Sequence, residues 1–137
     1  MVRIHRLGLH KRYEYNQPLL DFERLFRYPL GCDYFRINHG SNYFQFFDNL
    51  GSPYIYVARE KSQIIAVCIA VLRSMPIQPQ HAVWYLCDLK VHPSYRGKFI
   101  VQKILRYAFS ECAPISQKIY GVTMNSAHHT VNKIVRF

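Results

Sequence analysis

Acidic residues are scarce in this sequence, and its cysteines are not paired. Its 137 residues include 8 Asp and Glu against 18 Lys and Arg, which gives a formal net charge of +10. This excess of positive charge favours an anionic partner, whether nucleic acid, a membrane surface or a phosphorylated cofactor. The four cysteines are scattered singly, without a C-x-x-C pair. Their spacing excludes a compact disulfide framework and predicts free thiols in a reducing compartment.

Long hydrophobic runs are also missing. The longest, Ile64 to Leu72, is too short to cross a bilayer as a helix. The first twelve residues alternate basic and apolar side chains, and they lack the apolar core of a signal peptide. We therefore expect a cytoplasmic protein with no membrane contact. Because half of the residues are hydrophobic, the chain is expected to form one domain, residues 1–137, with a real core.

A metal-ligand pattern is missing among the seven histidines. His128 and His129 are adjacent, so their side chains would point about 100° apart on a helix and form a poor chelate. No carboxylate or cysteine stands at ligand spacing from them. The sequence therefore predicts no metal site.

The hydrophobic periodicity predicts strands and helices in the order β-α-α-β-β-β-α-β-α, which indicates one α/β domain. The predicted segments are a strand over Val2–Leu9, a helix starting near Pro18 and Asp21 and ending at Pro29 and Gly31, a short helix from Ser41 as its cap, a hairpin of Tyr54–Arg59 and Gln63–Arg73, a strand over Ala82–Val91, a helix over Phe99–Cys112, a strand over Lys118–Met124 and a last helix after Asn125 and Ser126.

One segment joins a strand to a helix through a short basic loop. Asp88 to Val91 ends the strand, Pro93 marks a turn, and Arg96-Gly97-Lys98 leads into the helix. Backbone N–H groups at the start of a helix can bind anions. The alternative interpretation of the same residues is a basic turn before an amphipathic helix.

The run His92-Pro93-Ser94-Tyr95-Arg96-Gly97-Lys98 resembles the acyl-CoA pyrophosphate loop of the GNAT N-acetyltransferase superfamily. This resemblance implies a GNAT-like α/β (α+β) fold, with a mixed, mostly antiparallel sheet flanked by helices. The predicted element order matches the first two-thirds of that fold, which normally continues with two more strands. We therefore expect a chain that lacks this C-terminal strand pair and is a fragment of the usual domain.

The resemblance also implies a site for the cofactor. The strand residues Leu89, Lys90 and Val91 fall where the backbone of the family pairs with the pantetheine arm. In the pyrophosphate loop Arg96 matches the family, whereas Phe99 and Val101 stand where it has glycines. The implied cofactor-binding residues are Leu89, Lys90, Val91, Arg96, Gly97, Lys98, Phe99, Ile100, Val101 and Asn125.

The mechanism that the resemblance implies is direct transfer from acetyl-CoA or another acyl-CoA to an amine, with the strand backbone polarising the thioester carbonyl. Asn125 and Phe137 match the last motif of the family, but Asn132 stands where a Tyr often protonates the leaving thiolate. An amide has no proton to give. From location alone, the candidate catalytic residues are Asp88 as the base and Tyr85 or Tyr120 as the acid. The sequence does not identify the amine.

Two other functions remain open. The lost glycines and the lost Tyr favour a non-catalytic GNAT-like module that binds a partner or another anionic ligand. A basic cluster near the N-terminus favours a nucleic-acid-binding domain, although no helix-turn-helix, RRM, KH or zinc-finger signature accompanies it. That cluster consists of Arg3, His5, Arg6, His10, Lys11 and Arg12. The sheet edge that a missing strand pair would expose favours an oligomer.

Overall fold

A five-stranded sheet with helices on both faces forms the centre of the computed structural model, which describes residues 1–122. The helices are Arg12–Glu23 (α1), Gln45–Leu50 (α2) and Ile100–Cys112 (α3). The strands are Val2–Arg6 (β1), Tyr28–Leu30 (β2), Asp33–Phe35 (β3), Ser52–Glu60 (β4), Gln63–Ser74 (β5), Ala82–Val91 (β6) and Ile119–Gly121 (β7).

The strand order in the sheet is β1-β4-β5-β6-β7. Strands β1, β4, β5 and β6 pair antiparallel, and β7 joins the edge of β6 in parallel. Strands β2 and β3 form a separate small hairpin between α1 and α2. The predicted fold class, a mixed and mostly antiparallel sheet flanked by helices, is confirmed.

Each face of the sheet carries its own hydrophobic cluster. The α1–α2 face includes Leu19, Phe47 and Val67, and the α3 face includes Trp84 and Ile104. Helix α3 buries residues at helical spacing along one side: Ile100, Ile104, Leu105, Ala108 and Cys112. The indole N–H of Trp84 donates to the carbonyl oxygen of Cys112 at 2.9 Å. This bond fixes the end of α3 against β6.

The predicted starts of the first two helices are both wrong, because tertiary hydrogen bonds determine where each helix begins. Helix α1 begins at Arg12, earlier than predicted, and contains Pro18 in its interior. The side chain of Arg12 donates to the carboxylate of Asp48 and fixes this start. Ser41 does not cap α2, which begins at Gln45. The side-chain amide of Asn16 donates to the carbonyl oxygen of Ser41, so Ser41 is held in a turn before the helix.

Three further segments differ from the prediction. Strand β1 ends at Arg6, and Leu9 lies in a 3-10 turn. The hairpin of β2 and β3 was not predicted; Gly31 turns it with a φ of +61°, which suits glycine. Strand β7 is shorter than the predicted Lys118–Met124. Thr123, Met124, Asn125, the pair His128-His129, Asn132, Arg136, Phe137 and the predicted last helix lie outside the described residues.

Candidate active site

An open cavity of about 1380 Å³ runs along the C-terminal half of β6. It is bounded by β6 itself, by the loop and first turn of α3, by β7, and by the segment that follows α1. The lining residues include Phe26, Arg27, Tyr28, Pro29, Ile37, Asp88, Leu89, Lys90, Val91, Tyr95, Arg96, Gly97, Phe99, Ile100, Val101, Gln102 and Tyr120. The cavity therefore brings together most of the residues that the sequence proposed for a site.

The cavity begins where the described pairing of β6 with β7 ends. Their pairing consists of Trp84 with Ile119, Tyr85 with Tyr120, and Leu86 with Gly121. Residues 88–91 of β6 continue to pair with β5, but in the described part of the chain no strand pairs with their other edge. Strand edges have backbone groups that need partners, and an extended ligand can supply them. Leu89, Lys90 and Val91 lie on this edge.

A β-bulge at Cys87 sets the direction of the side chains that follow it. Ile69 pairs with Asp88 and Ala70 pairs with Leu86, which leaves Cys87 as an extra residue. A bulge bends the strand and interrupts the alternation of faces. Cys87 packs on the α1–α2 face, and Asp88 contacts Tyr43 on that same face. Without the bulge, simple alternation would turn Asp88 toward α3.

The loop before α3 has two residues in the left-handed region. Gly97 has a φ of +76° and Phe99 a φ of +59°. Phe99 stands at a position where the pyrophosphate-loop pattern has glycine, so the backbone keeps the glycine conformation although the side chain is large. The Phe99 side chain is 70% exposed and does not fill the groove.

The first turn of α3 presents backbone donors to the cavity. The earliest bond of the helix runs from the N–H of Lys103 to the carbonyl oxygen of Phe99, at 3.2 Å. The N–H groups of Ile100, Val101 and Gln102 therefore have no partner within the helix, and all three residues line the cavity. Arg96 lies on the same wall, whereas Lys98 places its ammonium over the ring of Tyr95 at 5.0 Å and is not a wall residue.

Asp88 is held by two partners on the α1–α2 face. The hydroxyl of Tyr43 donates to Oδ2 at 3.2 Å, and the ammonium of Lys90 lies 3.3 Å from the same oxygen. The side chain of Asp88 is 10% exposed. Burial raises its pKa above the ordinary value of 3.8, and the charge of Lys90 opposes that rise without cancelling it. A carboxylate with a raised pKa is a better proton acceptor.

Lys90 is nearly enclosed, with 4% of its side chain exposed. Its ammonium lies 5.6 Å from the ring centre of Phe26 and 5.7 Å from that of Tyr28. Burial is the largest single influence on the pKa of Lys90 and would lower it, but Asp88 and Tyr28 together outweigh burial and raise the pKa above 10.5. Lys90 is therefore charged at neutral pH and is not a nucleophile.

The two candidate acids form one stacked pair. The rings of Tyr85 and Tyr120 lie 4.8 Å apart and 7° from parallel, and Arg73 donates to the hydroxyl of Tyr120 at 2.8 Å. Only Tyr120 of the two lines the cavity. Burial raises the pKa of Tyr85, so that hydroxyl is protonated at neutral pH.

Cys87 lies beside Asp88 but is not an activated thiol. Burial raises its pKa to about 12, and its thiol donates to the carbonyl oxygen of Ile69 at 3.6 Å.

Tyr43 and Arg27 were not identified from the sequence as site residues. Tyr43 belongs to a dense aromatic run, which was the available signal, whereas nothing in the sequence distinguishes Arg27 from the other exposed arginines.

Between residues 1 and 122, no three His, Cys, Asp or Glu side chains lie close enough together to hold a metal ion. No helix in that same range is long and apolar enough to cross a bilayer.

Solved structures of acetyltransferases share this fold. An aminoglycoside acetyltransferase from an uncultured soil metagenomic sample, in complex with sisomicin, has a TM-score of 0.66 and 18% identity, over 90% of this chain and 78% of that one. A glucosamine-6-phosphate N-acetyltransferase from Arabidopsis thaliana has a TM-score of 0.62 and 13% identity, over 90% and 83% of the two chains. At these identities the likeness shows the fold.

A third similar structure contains the cofactor. It is a predicted acetyltransferase from Clostridium acetobutylicum with acetyl-CoA, with a TM-score of 0.61 and 18% identity, over 91% of this chain and 82% of that one. No curated protein sequence matches this chain. The sequence model of the acetyltransferase (GNAT) family matches residues 19–129. The chain belongs to the GNAT acetyltransferase family.

Proposed function

We propose that this protein transfers an acyl group, most simply acetyl, from an acyl-CoA to an amine. The observation that carries the proposal is the meeting, in one cavity, of the edge of β6 that no strand within residues 1–122 pairs with, the N–H groups at the start of α3, and a buried carboxylate. Each supplies one requirement of the reaction: a place for an extended ligand, donors for phosphates, and a proton acceptor.

The residues of this chain fit acetyl-CoA. The left-handed backbone at Phe99 gives the loop the shape that glycine would give it, and the N–H groups of Ile100, Val101 and Gln102 are available to bind a phosphate placed at that loop. Arg96 adds a positive charge to the same wall. The edge of residues 89–91 would hold the pantetheine arm. When bound, the cofactor supplies the acyl group as a thioester.

Asp88 is our proposed base. It lies on the cavity wall with a raised pKa, and its Oδ2 atom is oriented by Tyr43 and Lys90. Tyr120 is the proposed acid, because it lines the same cavity as Asp88 and Arg73 fixes its hydroxyl by a hydrogen bond. Tyr85 then acts through Tyr120, as the stacked ring behind it. General acid–base groups contribute about 10²–10⁴-fold to a rate.

A second candidate function is a module that binds an anionic ligand without catalysis. The observation that favours it is the presence of Phe99 and Val101 at the two glycine positions of the loop. Side chains there obstruct the close approach of backbone to phosphate. Binding and catalysis are therefore tested separately.

The first experiment is thermal unfolding with and without saturating acetyl-CoA, at low and at moderate salt. A ligand at about 100 times its dissociation constant stabilises the folded state by roughly 2.7 kcal/mol. We expect an upward shift that survives moderate salt and is reduced in Arg96→Ala. The matched control is Arg24→Ala. Arg24 is an exposed arginine directly after α1, and it pairs with Asp21 at 3.6 Å. The absence of any shift would reject the proposal.

Catalysis is then measured as release of free thiol from acetyl-CoA in the presence of amines. Asp88→Asn keeps the shape of the side chain but cannot accept the proton, so we expect a loss of about 10²-fold or more in rate. Tyr120→Phe should lower the rate, and Tyr85→Phe should lower it less. Cofactor binding without any amine-dependent release would favour the binding module instead.

A further inference from the structure

The cavity offers no free carboxylate to a cationic substrate. Seven of the eight acidic side chains of the whole sequence have a basic partner within 4.0 Å in the described structure. Those pairs are Glu14 with Lys11, Asp21 with Arg24, Glu23 with His39, Asp48 with Arg12, Glu60 with the N-terminus, Asp88 with Lys90 and Glu111 with Arg6. Asp33, the eighth, is not on the cavity wall. Residues 123–137 contain no Asp or Glu.

This arrangement bears on the kind of amine that the cavity accepts. A polycationic amine needs a carboxylate for each ammonium that it buries, because an unpaired charge is costly to remove from water. Asp88 is the one carboxylate on the wall, and Lys90 already neutralises it. The net charge of +10 adds a long-range repulsion of cations. An aminoglycoside such as sisomicin is therefore a poor match for this cavity.

The part of the cavity wall that is formed by the segment after α1 instead favours a negatively charged ligand. Arg27 is exposed on it and packs its guanidinium 5.0 Å from the ring centre of Tyr34. None of the eight carboxylates of the chain pairs with Arg27 within 4.0 Å. Phe26, Tyr28 and Ile37 line the same wall. A guanidinium beside aromatic and apolar side chains suits a ligand with an apolar body and an acidic group.

We propose that the acceptor is an amine that carries both an aromatic ring and a carboxylate, with Arg27 binding the carboxylate and the wall of Phe26 and Tyr28 contacting the ring. This inference rests on the proposed acyl transfer and names the substrate class of the same cavity. The bond that forms joins the acyl carbon to the amine nitrogen, and the bond that breaks is the carbon–sulfur bond of the thioester. The amine proton passes to Asp88, and the thiolate leaves as CoA thiol after protonation.

The test compares amines that differ by one group. Thiol release from acetyl-CoA is measured with phenylalanine against phenethylamine, with tryptophan against tryptamine, and with sisomicin. A charge-assisted hydrogen bond to a carboxylate corresponds to about tenfold or more in kcat/KM. We expect each carboxylate-bearing amine to exceed its partner by that factor, and sisomicin to give no release above background.

Variants assign the effect to Arg27. Arg27→Gln should reduce the ratio of phenylalanine to phenethylamine to about one, and Arg27→Glu should reverse it. Arg24→Gln, three residues earlier and paired with Asp21, should leave the ratio as in the parent protein. Thermal unfolding of each variant with acetyl-CoA shows that it folds and binds the cofactor.

The outcomes separate the two proposals. If acetyl-CoA does not bind the parent protein, acyl transfer itself fails, and the substrate class fails with it. If acetyl-CoA binds but sisomicin is the better acceptor, or if other amines release thiol and neither phenylalanine nor tryptophan does, the acceptor inference alone is overturned. If acetyl-CoA binds and no amine releases thiol, acyl transfer fails together with the acceptor inference. A ratio that persists in Arg27→Gln would also overturn it, because the carboxylate would then be recognised elsewhere.

Discussion

Phe99 adopts a backbone conformation that glycine adopts without penalty. A φ of +59° places its Cβ close to the backbone, which costs roughly 1–2 kcal/mol for residues other than glycine. The side chain is largely exposed, so burial of the ring does not offset that cost in full. Phe99 directly precedes α3, whose first residue, Ile100, is buried against the sheet.

The effect of the ring and the effect of the conformation can be separated with two substitutions. Phe99→Ala removes the ring but keeps a Cβ in the left-handed region, whereas Phe99→Gly removes both. We expect Phe99→Gly to be more stable than Phe99→Ala by about 1 kcal/mol in urea unfolding. Both should bind acetyl-CoA more tightly than the parent, as measured by calorimetry. Equal stability of the two variants would show that the loop relaxes out of the left-handed region.

Asp88 and Lys90 form a buried pair whose members depend on each other. Removal of one partner from such a pair costs about 3–5 kcal/mol, because the other charge stays buried without compensation. We expect Lys90→Met to destabilise the protein by that amount at pH 7. Asp88→Asn should destabilise it as well, and the double variant by less than the sum of the two.

The pH dependence of this pair follows from the two shifts. The pKa of Lys90 is raised in the folded protein, so its contribution to stability is complete below pH 10.5 and is lost as pH rises through the folded value. The pKa of Asp88 is also raised, so the folded state holds that proton more tightly, and ionised Asp88 costs stability that is recovered as pH falls. The loss of stability that Lys90→Met causes, measured by urea unfolding, should therefore become smaller between pH 7 and pH 4. A constant deficit would mean that Asp88 is not the group left uncompensated.

Among the elements, β6 does most to shape the site, and its bulge at Cys87 is the reason. The extra residue bends the strand where β7 stops pairing, and it puts Asp88 and Lys90 on the α1–α2 face while Leu89 and Val91 face α3. Deletion of Cys87 restores a regular strand and keeps Asp88 on the same face, since Asp88 then takes the place of Cys87.

We expect the Cys87 deletion to fold but to lose affinity for acetyl-CoA, because a straighter β6 narrows the gap to β7. Circular dichroism checks the fold, and calorimetry measures the affinity. Cys87→Ala keeps the bulge and should bind as the parent does. If the deletion variant binds normally, the bulge does not control the opening of the cavity.

Elements with strong periodicity were predicted close to their observed bounds. Strand β6 was predicted over its full length, and α3 to within one residue, because its apolar side chains recur at helical spacing. The starts of α1 and α2 were missed because Arg12 and Asn16 fix them through bonds to residues far along the chain. The bulge was missed because no single residue type marks it.

For the molecule as a whole, the local part of the site could be predicted and the assembled part could not. Residues 88–101 are contiguous, so their strand, loop and helix were recognised together. The packing of α1, α2 and β6 is what brings Arg27 to the cavity wall and brings Tyr43 into contact with Asp88 behind that wall. The same packing pairs with carboxylates two of the basic side chains that the sequence left available for nucleic acid. Arg12 donates to Asp48 at 2.7 and 2.9 Å, and Arg6 lies 3.8 Å from Glu111.

The net charge of +10 still predicts weak, non-specific attraction to polyanions, which salt separates from cofactor binding. A protein that contacts roughly 6–10 DNA phosphates loses about 10³–10⁵-fold in affinity between 50 and 200 mM salt. We expect DNA binding, followed by fluorescence anisotropy, to disappear over that range. Stabilisation by acetyl-CoA should persist, because the proposed site binds the cofactor through backbone N–H groups at α3 and the edge of β6 in addition to charge. Arg3→Gln should weaken DNA binding and leave the cofactor shift intact, whereas Arg96→Ala should do the reverse. DNA affinity that survives 200 mM salt would make nucleic acid a specific partner of this fold.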